Sequence, residues 1–213
     1  MKPMFPDLFR DDVFRLETKR LWLRWPRAAD AAAIQAMSSF KHVAEMTARV
    51  PHPYPPGAAE AHILETRRAN AAGTLFGLAM TIKAGQRELV GRIGLNLRDG
   101  GGFALGYMMH PDHWGRGFAS EAVEAIVAAA FSLTEADEIH ADVRTTNPAS
   151  RRVLEKADFE FLGTRMHKGP ARDEPHEVYF SVLTRAAWER RRGLRSLGLG
   201  AMAAGGETCL AQN

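Results

Sequence analysis

Residues 74–82, 88–97 and 103–109 are three strand-like runs in direct succession, separated only by Lys83-Ala84-Gly85-Gln86 and Arg98-Asp99-Gly100-Gly101. Short polar connectors with glycine suit antiparallel hairpins. After residue 109 the rhythm changes. A helical run (119–131), a strand (138–144), a helical run (148–156) and a strand (159–166) alternate, and residues 177–183 read as a last strand. With the short apolar run 21–25, stopped by Pro26, the order predicts an α/β fold of the α+β type. Its core is a mixed, mostly antiparallel sheet of about seven strands with helices on both faces.

The first half supplies two more helices. Residues 31–40 are rich in helix formers, with Asp30 in front as a candidate cap. Residues 58–70 form the other, with Ala61, Leu64 and Arg68 on one side by the three-and-four spacing. Between them PHPYPPG (51–57) reads as a stiff loop, and residues 1–17 as a lead-in. Residues 1–185 are expected to form one domain. Residues 186–213 then give an arginine-rich helix end, with Arg190, Arg191 and Arg192 solvated, and a loose glycine- and alanine-rich tail.

Composition narrows the partners. The chain has 213 residues, 46% of them hydrophobic and 25% charged, which is a globular balance. A net charge of +3 is too small to argue for nucleic acid. The single cysteine, Cys209, cannot form an internal disulfide, and a reducing compartment is expected. The first residues carry no apolar signal core, and no run approaches a membrane span. The reading is a cytoplasmic protein without nucleic-acid or membrane partners.

The stretch HPDHWGRGFASEAVEAIVAAAF (110–131) sets two glycines against a strong helix former. A helix start exposes unpaired N–H groups at a positive dipole end, and glycine lets the backbone curl so that several point at one anion. Gly115, Arg116, Gly117, Phe118, Ala119 and Ser120 therefore form a candidate phosphate cradle, with Arg116 at its rim. Glycines also occur at strand-to-helix turns that bind nothing. The stretch is not a P-loop, because no Gly-Lys-Ser/Thr follows. Gly115-x-Gly117-x-x-Ser120 lacks only the last glycine of the dinucleotide fingerprint, and Glu138 falls near the distance for a ribose contact. That fingerprint opens a run of parallel units, however, and here a meander comes first.

Four stretches in order resemble the GNAT superfamily of acyl-CoA-dependent N-acetyltransferases, in particular its RimJ/RimL type, which acetylates ribosomal-protein N-termini. Trp114-Gly115-Arg116-Gly117-Phe118-Ala119 is similar to the pyrophosphate loop Gln/Arg-x-x-Gly-x-Gly/Ala, with Trp114 at the first place. Thr18-Lys19-Arg20-Leu21-Trp22-Leu23-Arg24 resembles the opening Thr-x-Arg-Leu-x-Leu-Arg. Leu105-Gly106-Tyr107 resembles the strand before the loop. Asn147-Pro148-Ala149-Ser150 through Phe159 resembles a later Asn-x-x-Ser helix, with Asp158 where the family has glycine. The resemblance covers residues 17–183.

The resemblance implies acetyl-CoA as cosubstrate, lying where the strands 103–109 and 138–144 splay apart. Backbone groups of Met108, Met109 and His110 would pair with pantetheine, residues 115–120 would hold pyrophosphate, Asn147 would contact pantetheine, and Ser150 would stand near the sulfur as acid. Asn147 before Pro148 also reads as an ordinary helix cap, and Ser150 as a helix-surface serine. The acceptor would be a primary amine, of a small molecule or a protein N-terminus, and the protein a monomer or homodimer. An amine must lose its proton before attack, so a base is needed. The family's glutamate place holds Ala104 and its tyrosine place Leu154. His110, His140, Asp142 and Glu45 are the candidates for the base, with His110 placed first at the end of the cofactor strand. His110 and His113 lack an obvious third ligand, so no metal is expected. Trp22, Trp25 and Trp114 read as packing residues. The rival readings are a CoA-binding protein of the same fold with weak or no catalysis, and a dinucleotide-binding oxidoreductase.

Overall fold

A computed structural model describes residues 5–85, 87–98 and 101–196. Eight strands form one sheet: β1 (Arg15–Glu17), β2 (Leu21–Arg24), β3 (Leu75–Ile82), β4 (Leu89–Leu97), β5 (Phe103–Met109), β6 (Glu138–Arg144), β7 (Glu160–His167) and β8 (His176–Thr184). Their spatial order is β1-β2-β3-β4-β5-β6-β8-β7. Every neighbouring pair is antiparallel except β5–β6. The sheet therefore has one strand more than expected. The extra one, Arg15–Glu17, lies in the stretch read as a lead-in. It is three residues long and shows no apolar alternation, yet a turn closed by the Thr18 N–H on the Leu21 carbonyl pairs it with β2.

Among the described residues six α-helices flank the sheet: α1 (Ala31–Ser39), α2 (Lys41–Ala44), α3 (Ala58–Ala72), α4 (Phe118–Leu133), α5 (Pro148–Lys156) and α6 (Arg185–Ser196). The strands alternate between two apolar layers, as the period of two requires. Ile93, Leu95, Leu105, Met109, Ile139 and Ala141 pack with Val123, Ile126 and Val127 of α4. Ala79, Leu89 and Met108 pack on the other face with Ile34 and Met37 of α1 and Ile63 of α3.

Two helix expectations are corrected. Ala61, Leu64 and Arg68 lie on the solvent side of α3, and its buried face is Ala59, Ile63, Thr66 and Asn70. Half of that face is polar, so apolar spacing could not find it. Asn70 earns its burial by holding both backbone groups of Gly77, accepting from the N–H and donating to the carbonyl at 2.8 Å each. Asp30 makes no side-chain cap on α1. Its carboxylate instead takes both Arg24 Nη atoms at 2.8 Å and the Arg27 N–H at 2.7 Å.

At the C-terminal end the helix begins at Arg185, earlier than expected, and Trp188 packs on Phe131. Of the three arginines, Arg191 is not simply solvated: it pairs with Asp158 at 2.7 Å. Cys209 and the tail lie outside the described residues. Among the described residues no helix is long and apolar enough to cross a membrane.

Candidate active site

The parallel contact between β5 and β6 is short. Only Phe103 with Ile139 and Ala104 with His140 are in register, and beyond them the strands part. The backbone of β5 from Leu105 to Met109 thus borders a gap. The His110 N–H donates to the Val90 carbonyl at 2.9 Å. In an antiparallel ladder alternate residues face the same neighbour, so Met108 also faces β4 and the Met109 N–H faces the gap. Of the three backbone positions expected to line the gap, the N–H groups of Met108 and His110 are therefore committed to β4. The expectation narrows to Met109.

The gap ends at the glycine turn. Gly115 and Gly117 have φ of +74° and +77°. This left-handed region is cheap only for glycine. Gly117 is the residue in front of α4, and no side chain caps that end. Among the described residues nothing accepts from the N–H groups of residues 115–120, and Gly115, Arg116 and Gly117 are exposed. These are the unpaired donors of a helix start, held open by two glycines.

The first turn of α4 is anchored from the far edge of the sheet. Glu121 Oε1 accepts from the Thr18 hydroxyl at 2.6 Å and the Arg20 N–H at 2.7 Å, and Oε2 accepts from Arg20 Nε at 2.6 Å. Arg20 Nη1 also donates to the Arg116 carbonyl at 2.8 Å, and its guanidinium lies over the Phe118 ring. Burial pushes the Glu121 carboxyl upward, but these donors and the Arg20 charge outweigh it and hold it below the usual glutamate value. Thr18, Arg20 and Glu121 thus fix the turn. The sequence motif holding Thr18 and Arg20 was visible. The service it performs, between residues about a hundred positions apart, was not.

Ser150 sits on the second bank of the gap, in the first turn of α5. Its N–H donates to Asn147 Oδ1 at 3.0 Å, so Asn147 is a side-chain cap, followed by Pro148. The Ser150 hydroxyl lies 2.6 Å from the Tyr107 hydroxyl of β5. Burial pushes the Tyr107 phenol up to about 12, against the smaller opposing effect of Ser150, so it stays protonated at neutral pH. In the sequence Tyr107 stands out only as the end of the Leu105-Gly106-Tyr107 motif.

The base candidates are dispersed. His110, at the end of β5, accepts the Asp112 N–H on Nδ1 at 3.3 Å and meets the Phe40 ring edge-on. His140 stacks on Phe180, its Nε2 is 2.5 Å from Glu138 Oε1, and it is in register with Ala104. Asp142 is engaged by Arg165 at 2.7 Å. Glu45 pairs with Lys41 at 3.8 Å and gives its carbonyl to Arg144. Leu154 is buried in the core. Trp114 departs from the packing expectation: it is 50% exposed, and its indole N–H donates to the Met109 carbonyl at 3.1 Å. The His110 and His113 rings are 5.9 Å apart, and no group of three potential metal ligands occurs among the described residues.

The fold and site together define an α+β protein with a split sheet and an open glycine turn at the end of the split. With a single parallel strand pair, the sheet is not the doubly wound one that the dinucleotide reading requires. The acetyltransferase (GNAT) domain family matches residues 20–160, and the chain belongs to that family. It is 34% identical over 101 residues to the uncharacterized N-acetyltransferase p20 of Bacillus licheniformis, a match spanning 46% of this chain and 57% of that one. RimJ of Mycobacterium smegmatis, solved with a CoA-disulfide, superposes with a TM-score of 0.69 at 20% identity, covering 87% of this chain and 93% of that one. The spermidine N-acetyltransferase of Vibrio cholerae, solved with CoA and spermine, superposes with a TM-score of 0.65 at 15% identity, covering 79% and 98%.

Proposed function

We propose that the protein is an acetyl-CoA-dependent N-acetyltransferase that acts on a primary amine by direct transfer. The observation that carries this reading is the gap beyond Ala104 and His140, which ends on the uncapped turn 115–120. A gap bordered by strand backbone suits an extended amide-bearing arm, and the open turn suits a pyrophosphate. The residues present therefore fit the cosubstrate, and relatives of the same fold were solved with CoA.

Bound acetyl-CoA supplies the acetyl group as an activated thioester. The Met109 N–H faces the gap and would donate to the carbonyl oxygen as negative charge develops there. The Ser150 hydroxyl would give its proton to the departing sulfur, and Tyr107 would orient that hydroxyl. Proton removal from the amine falls to His110 or His140, both on the face of the sheet opposite α4. His140 is beside Ala104 and backed by Glu138. The acceptor class, a small amine or a protein N-terminus, follows from the relatives and is part of the proposal.

The test is a thermal shift with acetyl-CoA, CoA, NAD and ATP, followed by thiol release with an amine panel. A ligand at a hundred times its Kd adds about 2.7 kcal/mol. Shifts with acetyl-CoA and CoA, then turnover, are expected. Binding without turnover on any amine would leave a CoA-binding protein, and a shift with NAD alone would overturn the reading.

A further inference from the structure

Arg92 is a charge without a countercharge. It lies on β4 between Ala79 of β3 and Met108 of β5, in the middle of the apolar face that α1 and α3 cover. Its Nε points at Met108 Sδ at 2.8 Å, and its Nη1 at His62 Nε2 on α3. No carboxylate pairs with it among the described residues, and its Nη2 has no hydrogen-bond partner there. His62 does not supply the missing charge. Burial, then the Arg92 guanidinium, push its imidazole down to about 3, so it is neutral and accepts from Arg92 on Nε2. Burial also lowers Arg92 itself, but an arginine keeps its proton in proteins. Arg92 is partly exposed and no carboxylate offsets its charge among the described residues, so an anion reaching its Nη2 would gain a charge-assisted hydrogen bond.

The place of Arg92 says what that anion belongs to. Met108, its ladder partner, precedes Met109, whose N–H faces the gap. The α1–α3 face is opposite the α4 layer that carries the glycine turn, and Arg92 lies on it one position along the ladder from Met109. Tyr54 lies beside it, close enough to influence its charge, and its hydroxyl has no hydrogen-bond partner among the described residues. The Arg92 Nη2 and the Tyr54 phenol, on a wall otherwise lined by apolar residues, are donors that suit a carboxylate.

We infer that Arg92, unpaired on the α1–α3 face beside Met108, binds a carboxylate of the acceptor, so that the preferred acceptors are amines carrying a carboxylate close to the reacting nitrogen. The inference rests on the acetyltransferase reading above. The carboxylate could be the α-carboxylate of a free amino acid or the side chain of an acidic residue at a peptide N-terminus.

The experiment uses matched acceptors on the full chain, after acetyl-CoA binding has been checked by thermal shift. Leucine is compared with leucinamide and 3-methylbutylamine. A peptide amide beginning with aspartate is compared with its asparagine twin. We expect the carboxylate member of one pair to have a kcat/KM about ten-fold higher or more, and Arg92→Met to bring that ratio to near one. The leucine set succeeding alone assigns the α-carboxylate, and the peptide set alone the side chain. As a readout without turnover, isovalerate should raise the melting temperature of the wild type and not of Arg92→Met. Equal or better turnover of the carboxylate-free amines overturns the inference while leaving the acetyltransferase reading intact. Failure to bind acetyl-CoA overturns that reading instead, and the inference with it. If Arg92→Met does not fold, the wild-type pairs decide alone.

Discussion

The hydroxyl of Tyr107 on β5 stands 2.6 Å from that of Ser150 on α5, and joins the two banks of the gap. Because burial keeps the phenol protonated, Tyr107 can donate to Ser150 and leave the serine proton directed elsewhere. Loss of a general acid costs roughly 10²-fold or more, so Ser150→Ala should lower kcat by that order. Tyr107→Phe removes the phenol's hydrogen bonds to the Ser150 hydroxyl and carbonyl; losing the one to the hydroxyl, about 1 kcal/mol, should lower kcat about five-fold. If Tyr107 acts through Ser150, adding Tyr107→Phe to Ser150→Ala should change kcat less than about two-fold. Steady-state kinetics of the four proteins check this, and full additivity would refute the coupling.

Gly115 separates backbone strain from crowding. A Cβ built on it meets nothing within 4 Å, so only its φ of +74° opposes a side chain. Gly115→Ala should cost about 1–2 kcal/mol, whereas Gly115→Asn should cost less, because asparagine visits this region more readily. Acetyl-CoA affinity should fall in the same order. Calorimetric titration and thermal melts of both variants measure it. Equal losses in the two would show that the turn has another constraint.

Glu121 predicts an acid limb. Its folded value lies below the ordinary 4.5, so the unfolded chain binds the proton more tightly. Its contribution is fully present above pH 4.5 and is lost as pH falls through the lowered folded value. Glu121→Gln should therefore flatten the stability profile below pH 4.5 and leave its shape above that unchanged. Denaturant unfolding between pH 3 and 7 would show it, within the span where carboxylates titrate.

The parts of this molecule that were legible in sequence are those written by local rules. The strands 75–82, 89–97 and 103–109 came from short connectors, and the turn at Gly115 and Gly117 from residues that tolerate positive φ. Asn147 and Pro148 announced a cap that the structure contains. What stayed hidden joins distant residues. Thr18 and Arg20 serve Glu121, Tyr107 serves Ser150, and Asn70 replaces an apolar residue on the buried side of α3. No period or spacing encodes such pairs. The β1 strand was missed because three residues with charged ends carry too little alternation to read.

Arg172 offers a test of how the acceptor side is held. Its guanidinium donates to the carbonyls of Thr47 at 2.7 Å and Val50 at 2.9 Å, and also to those of Ala44 and Ala171. Gly169 packs so closely that a Cβ on it would stand 2.5 Å from the Ala48 carbonyl oxygen. The segment after α2 and the connection between β7 and β8 are thereby joined beside the α1–α3 face. Arg172→Met would leave several carbonyls without a donor, and bonds to a charged group are worth about 1.5–3 kcal/mol, so a loss of about 3 kcal/mol in stability is expected. The turn at Gly115 is on the opposite layer, so the acetyl-CoA Kd should change less than about two-fold while the acceptor KM rises about ten-fold. Equilibrium titration with CoA and acceptor saturation curves, run below the melting point of the variant, separate the two. A Kd that moves as far as the KM would mean that Arg172 supports the whole fold and not the acceptor side.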